Sequence, residues 1–357
     1  MSFRATPPPA SVPPPAPHAY APARWLRGAH AMTVFASVAR PFPRPRARRE
    51  RWELPDGDFL DVDRYAGGQS LRLRGARAPP SPPLAIEDDA PVLVICHGLE
   101  GSSRAPYVRG LVAVARTRGL AALALNFRSC SGTPNRLPRF YHSGETGDLA
   151  EVVRRLAAER PGRPIVLAGF SLGGNVVVKY LGERGDDLPP ELRGAVGISV
   201  PFDLERSARA IDGPGFWNAV YRARFMRRLR SKAAEKARRF PGTFDASAAA
   251  RARSFAEFDG IVTAPLHGFP SAEVYWRTCS AARFLAGVRR PLLALAALDD
   301  PMVPATSVPV EAARANPHVT LETTEAGGHV AFVAGSPFWP SFWAERRAVD
   351  FLAALVR

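Results

Sequence analysis

From residue 91 onward the chain alternates short, wholly apolar runs with longer segments of mixed character. The apolar runs are residues 91–96 (PVLVIC), 120–126 (LAALALN), 165–168 (IVLA), 195–200, 291–297 (PLLALAA) and 319–324. Their length suits strands buried on both faces. Residues 108–118 and 145–160 carry apolar positions at helical spacing, and 340–356 closes the chain in the same way. Buried strands alternating with helices predict a mostly parallel, doubly wound α/β sheet, whose sites form beyond the carboxyl ends of its strands. Ahead of it, residues 51–54 and 59–63 flank the turn sequence Pro55-Asp56-Gly57-Asp58, which predicts an N-terminal hairpin. The alternation breaks between about 204 and 288, where no buried strand appears, and a helical lid insertion is expected there.

The first residues follow another rule. Residues 1–23 are rich in proline and poor in apolar side chains, so a disordered tail is expected before a single domain over 24–357. The tail lacks the apolar centre of a secretory signal, and no run approaches the ~18 apolar residues of a membrane span. Residues 24–40 hold enough aliphatic and aromatic side chains to pack on the domain, and 76–89 read as a proline-rich loop. Cys96, Cys130 and Cys279 lie far apart without a metal-ligand spacing. Neither a disulfide framework nor a metal is expected, and reduced thiols fit a cytoplasmic protein.

Charge adds less than its size suggests. The chain of 357 residues carries a net charge of +15, almost all from arginine, with lysine only at Lys179, Lys232 and Lys236. Arginine, alanine and proline are enriched together, which is a compositional skew rather than a nucleic-acid footprint, and no specific nucleic-acid partner is expected. The insertion holds the most basic stretch, YRARFMRRLRSKAAEKARRF, with Phe225, Met226 and Leu229 interleaved. It reads as the solvated outer face of a lid, with contact to an anionic membrane as the alternative.

The chemistry concentrates at residues 165–180, IVLAGFSLGGNVVVKY. A buried strand enters Gly169-Phe170-Ser171-Leu172-Gly173 and a helical segment follows from Asn175, which is the G-x-S-x-G nucleophile elbow. Glycines two residues either side of the serine let strand and helix approach without Cβ clashes. Such a serine needs a base and an acid, in the chain order Ser, Asp/Glu, His. His18, His30, His97 and His142 precede Ser171, His267 lies in the insertion, and His318 comes before the last strand. His329 follows that strand after Gly327-Gly328, at the carboxyl edge, and is the expected base. The acid should follow a strand between the two. Asp300 leads Asp299 in LDDPMVP, because D-P-x-V-P suits the turn there, and Asp203 in VPFDL ranks last. The oxyanion donors should be the N–H groups of Leu172 and, from His97-Gly98-Leu99-Glu100-Gly101, of Leu99. His97 reads as an orienting hydrogen-bonder.

At these residues the sequence resembles the α/β-hydrolase superfamily. More narrowly it is similar to the YheT-type bacterial hydrolases and the related eukaryotic abhydrolase-domain esterases and lipases. The matching segments are WLRGAH, LPDGDFLDVD, HGLEGSS, NFRSCSGTPNRLPRFYHSGETGDL, GFSLGGN, LDDPMVP and GGHVAF, which together span the chain from about Arg24 to its end. The resemblance implies a cofactor-independent carboxylic-ester hydrolase acting on short- to medium-chain acyl esters or acylglycerols. It puts the family's triad on Ser171, Asp300 and His329. An acyltransferase using the same three residues, or a basic membrane- or nucleic-acid-binding protein on the same scaffold, stands as the alternative.

Overall fold

A computed structural model describes residues 19–40, 45–65 and 89–357. Most of the expected tail and of the 76–89 loop lies outside these residues. Eight strands form one sheet in the order β1-β2-β4-β3-β5-β6-β7-β8. They are β1 (Arg48–Glu53), β2 (Phe59–Tyr65), β3 (Val92–Cys96), β4 (Ala121–Asn126), β5 (Ile165–Phe170), β6 (Leu192–Ile198), β7 (Leu292–Ala297) and β8 (Val319–Thr324). The β1–β2 hairpin is antiparallel and joins β4 antiparallel through β2, whereas β3 to β8 run parallel.

Every residue of β3, β4, β5 and β7 is buried, because helices cover both faces of the sheet. Alternate residues of β5 feed two cores. Ile165 and Leu167 join the one reached by α3 (Gly147–Glu159) and α4 (Leu172–Arg184). Val166, Ala168 and Phe170 join the other, under α2 (Pro106–Thr117) and the C-terminal helix Trp343–Ala354. In α2 the buried positions Val108, Leu111, Val112 and Ala115 fall on one stripe, which fixes the face it presents.

The N-terminal segment is bound to the domain. In α1 (Ala29–Val38), Met32 and Ala36 pack with Ala23, Ala331 and Val333. Tyr20 donates to the Val333 carbonyl at 3.0 Å and tilts against Phe332 and Trp343. Tyr20 and Ala23, which precede residue 24, thus make contact with the residues around Val333. A short ribbon, β9 (Val333–Gly335) with β10 (Pro340–Phe342), precedes the C-terminal helix and was not expected. At three residues per strand it is too short to leave a periodic signal.

Between β6 and β7 every regular element is helical, with α5 (Leu204–Asp212), α6 (Phe216–Arg239), several short turns, the helix Ala272–Cys279 and a final 3-10 helix, Ala281–Gly287. The expectation that α6 turns its cations to solvent holds for Arg224, Arg227 and Arg238, which are exposed, but not for all of them. Arg228 donates to the Glu100 carbonyl at 2.7 Å, and Lys232 pairs with the Glu100 carboxylate at 2.8 Å. Lys236 bonds Asn135 Oδ1 at 2.7 Å and the Leu137 carbonyl, and Arg239 bonds the Asn135 carbonyl at 2.8 Å. Steps of four and then three residues keep these groups on the one face that contacts the domain, with Lys236 buried and Arg228 and Arg239 at its exposed margin. Arg224 and Arg227 remain on the outside, beyond the exposed Phe216, Trp217 and Val220 of the first turns. Among the described residues no helix is long and apolar enough to cross a membrane.

Two of the segments that carry the family resemblance meet in a largely buried ionic cluster. Arg128, from NFRSCSG, reaches Asp148 of GETGDL at 2.7 Å, and Asp58 and Asp56 of LPDGD at 2.9 and 2.8 Å. Asn135 donates to Asp58 at 2.6 Å and is itself held by Lys236. Removing either sign would leave an unpaired buried charge. These motifs therefore fasten the hairpin, the loop after β4, α3 and the insertion to one another.

Candidate active site

Ser171 sits between β5 and α4 with φ 51° and ψ −121°, a backbone geometry that few non-glycine residues adopt. Its N–H donates to the Ile198 carbonyl on β6 at 2.8 Å, which holds the turn on the sheet. A Cβ on Gly169 would overlap the Gly173 carbonyl, and one on Gly173 would overlap the Cys96 carbonyl on β3. Both glycines are thus required by close backbone approach. The helix begins at Leu172, three residues earlier than the apolar run suggests, since nothing after the serine interrupts it.

A line of short hydrogen bonds runs from the serine. Ser171 Oγ lies 2.9 Å from His329 Nε2, and His329 Nδ1 lies 2.8 Å from Asp300 Oδ2 and 3.1 Å from Oδ1. Only one tautomer satisfies both ends: Nδ1–H donates to the carboxylate and Nε2 accepts from the serine hydroxyl. Asp300 is buried, and the Met302 and Val303 N–H groups donate to its Oδ1 at 2.8 and 3.1 Å.

The neighbouring carboxylates have other partners. Asp299 accepts the Gly328 N–H at 2.8 Å, and burial pushes its carboxyl above the ordinary range. Asp203 caps α5 by accepting the Arg206 N–H at 3.0 Å. The backbone at His329 is pinned from two sides. Its N–H donates to Thr33 Oγ1 of α1 at 2.9 Å, and the Val330 N–H donates to Ser199 Oγ at 3.0 Å. The sequence gives no sign of Thr33 beyond its place beside the WLRGAH segment.

Two residues expected to supply backbone donors lie at the same cavity. Leu99 and Leu172 both line the cavity at Ser171, and among the described residues neither N–H has a hydrogen-bond partner. His97 is fully buried, with Nδ1 2.7 Å from the Gly98 carbonyl while Nε2 accepts the Phe127 N–H at 3.2 Å. Burial drops its pKa to about 3, so the ring is neutral and Nδ1 is the donor. Gly98 O also accepts the Gly101 N–H at 2.9 Å. In a trans peptide the C=O and the following N–H point opposite ways, so fixing Gly98 O aims the Leu99 N–H.

Next along that loop, Glu100 is held at φ 55°, with its N–H on Tyr141 Oη at 2.7 Å. Its carboxylate takes Tyr141 O–H at 3.0 Å and the Lys232 ammonium at 2.8 Å. Lys232 also lies 3.1 Å from Cys130 Sγ. No local sequence pattern links Glu100, in the loop after β3, to Lys232 and Arg228 on α6.

The cavity above Ser171 and His329 is closed by the insertion, and Leu204, Ile211, Phe225, Phe258 and Met302 give it a mainly apolar wall. Asn175, fully buried one turn into α4, fastens the base of that insertion. Its amide donates to the Ser143 and Cys279 carbonyls, both at 2.8 Å, and its oxygen accepts the Ala281 N–H at 2.9 Å. Among the described residues no group of His, Cys, Asp and Glu side chains could hold a metal ion, and the three cysteines are free and buried.

Comparison with known proteins places this arrangement. Residues 91–336 match the family model for the alpha/beta hydrolase fold. The YheT protein of Escherichia coli (strain K12), which carries an esterase name without a stated substrate, is 36% identical over 93% of this chain and 92% of its own. The monoacylglycerol lipase of Saccharomyces cerevisiae is 33% identical over 74% of this chain and 60% of its own. Among solved structures, an esterase of Pyrococcus furiosus superposes with a TM-score of 0.53 at 17% identity, covering 87% of this chain and 94% of its own, a likeness of fold. The chain belongs to the α/β-hydrolase fold family, in the branch that includes YheT.

Proposed function

We propose that this α/β hydrolase of the esterase and lipase type is a serine carboxylic-ester hydrolase working through an acyl-enzyme. The observation that carries the reading is the line Ser171–His329–Asp300, with links of 2.9 and 2.8 Å, at the floor of a mainly apolar cavity. His329 Nε2 takes the Ser171 proton as Oγ attacks the ester carbonyl. Asp300 keeps the imidazole in the tautomer that can do this and stabilises the imidazolium that forms. The Leu99 and Leu172 N–H groups receive the oxyanion, and losing one such donor typically costs about 3 kcal/mol of the barrier. His329 returns the proton to the leaving alcohol, then activates a water that releases the acid. The apolar side chains Leu204, Ile211, Phe225, Phe258 and Met302 suit an acyl chain, taken here as short to medium, and a relative named as a monoacylglycerol lipase supports lipid esters as substrates. Hydrolysis of p-nitrophenyl esters from acetate to palmitate tests the reading. Turnover that peaks at short or medium chains in the wild type and vanishes in Ser171→Ala is expected. Equal turnover by both proteins would refute it.

A further inference from the structure

Two polar side chains on the insertion side of the cavity have no part in the chemistry at Ser171. Ser207, on α5, is buried, and its Oγ has no hydrogen-bond partner. Asp259 opens a single π-helical turn, Asp259–Thr263, the kind of irregularity that often marks a functional site. Its carboxylate accepts the Thr263 O–H at 2.6 Å and the Trp276 Nε1–H at 2.8 Å. That is one donor per oxygen, where an ionised carboxylate can take about four in all.

What Asp259 lacks is a cation. It forms no ion pair among the described residues, and the charged group that acts on it is another carboxylate, Asp212. Glu100, the other carboxylate lining this cavity, is neutralised by Lys232. Asp259 is partly buried, and a carboxylate held beside apolar side chains without a cationic partner is favourably placed to take one from a ligand. Phe225, Phe258 and Trp276 line the same cavity, and aromatic faces attract a cation as well.

We propose that Asp259 and Ser207 form a subsite for an ammonium group carried on the acyl chain of the substrate. The ammonium would donate to the open lone pairs of Asp259 and to Ser207 Oγ, which has lone pairs to accept it. The cavity then selects an acyl chain with a cationic end over a plain alkyl chain. Burial pushes the Asp259 carboxyl up to about 6, so at pH 8 it is ionised and the subsite is charged. The titratable groups facing it are Asp212 on α5 and Tyr275 on the helix Ala272–Cys279.

The proposal rests on the ester-hydrolase reading only for its assay. The test pairs p-nitrophenyl esters that differ in one terminal group at constant length: 6-aminohexanoate with heptanoate, 8-aminooctanoate with nonanoate, and 12-aminododecanoate with tridecanoate. The quantity read at pH 8 is the ratio of kcat/KM, amino over alkyl, at each length. At the length that spans the cavity the wild-type ratio should be one or more. Asp259→Asn should lower that ratio roughly thirtyfold, as expected for a lost charged hydrogen bond, and Ser207→Ala about fivefold. The wild-type ratios alone decide the matter if Asp259→Asn fails to fold. Amino esters poorer than their alkyl isosteres at every length, or a ratio that Asp259→Asn leaves unchanged, would overturn the subsite. Turnover of the alkyl esters would leave the hydrolase reading standing in that case, whereas turnover of neither series would remove both.

Discussion

The carboxyl edge of the sheet and the helical insertion meet at one cavity, yet they are built by opposite means. The edge is fixed by backbone. Ser171 is strained between Gly169, which abuts the first turn of α4, and Gly173, which abuts the end of β3; Asp300 lies in the turn after β7, and the turn beyond β8 delivers His329. The insertion is fixed by side chains from far away in sequence. Lys232 meets Glu100 across 132 residues and Lys236 meets Asn135 across 101. Backbone constraints make rigid positions that tolerate almost no substitution. Long polar side chains bridge elements that the backbone does not join, so the insertion is placed by contacts no local pattern specifies.

This contrast can be broken in graded steps. Ser171→Ala is expected to cost the most, on the order of 10⁵-fold in kcat on p-nitrophenyl butyrate, with thermal unfolding little changed. Asp300→Asn should follow at roughly 10⁴-fold, since the imidazole loses the partner that sets its tautomer. Asp299→Asn should cost less than about tenfold, because its role is to hold the Gly328 N–H. A larger loss at Asp299 than at Asp300 would reverse the assignment of the acid.

On the insertion side the effects should be smaller. Lys232→Met removes the ammonium from Glu100, the residue after the Leu99 donor, and should lower kcat about tenfold with KM little moved. An effect in KM alone would make Lys232 a wall of the cavity and nothing more. Smallest of all, Asp203→Ala should cost about 1 kcal/mol of stability as a lost helix cap and leave kcat/KM within twofold or so. Chemical denaturation and steady-state kinetics on the same preparation check both halves of that statement.

The same contrast explains what the sequence could reveal. The elbow is legible because its requirement is local: a serine on a tight turn needs glycine at fixed offsets, and these appear in the letters. His329 is legible by elimination, since the other histidines precede the serine, lie in the insertion or sit at the wrong end of β8. Asp299 and Asp300 are adjacent, and spacing cannot separate them. Their carboxylates go to different partners, one to the Gly328 N–H and the other to His329 Nδ1.

The insertion shows the limit. Both faces of α6 carry cations, so composition reports a basic helix without saying which cations turn inward. Thr33 and His329 are 296 residues apart, and no local pattern links them. The buried cluster around Arg128 is a middle case. Its segments are conspicuous as part of a family resemblance, but their electrostatic purpose emerges only once Asp56, Asp58 and Asp148 surround one guanidinium.

The most direct measurement is peptide mapping by mass spectrometry after reaction with diisopropyl fluorophosphate, in the wild type and in Asp300→Asn. The account predicts a single phosphoryl adduct on Ser171, formed at least a hundredfold or so more slowly in the variant, since the reagent needs an activated serine. An adduct on another residue, or full hydrolysis of esters by a protein that remains unlabelled, would contradict it.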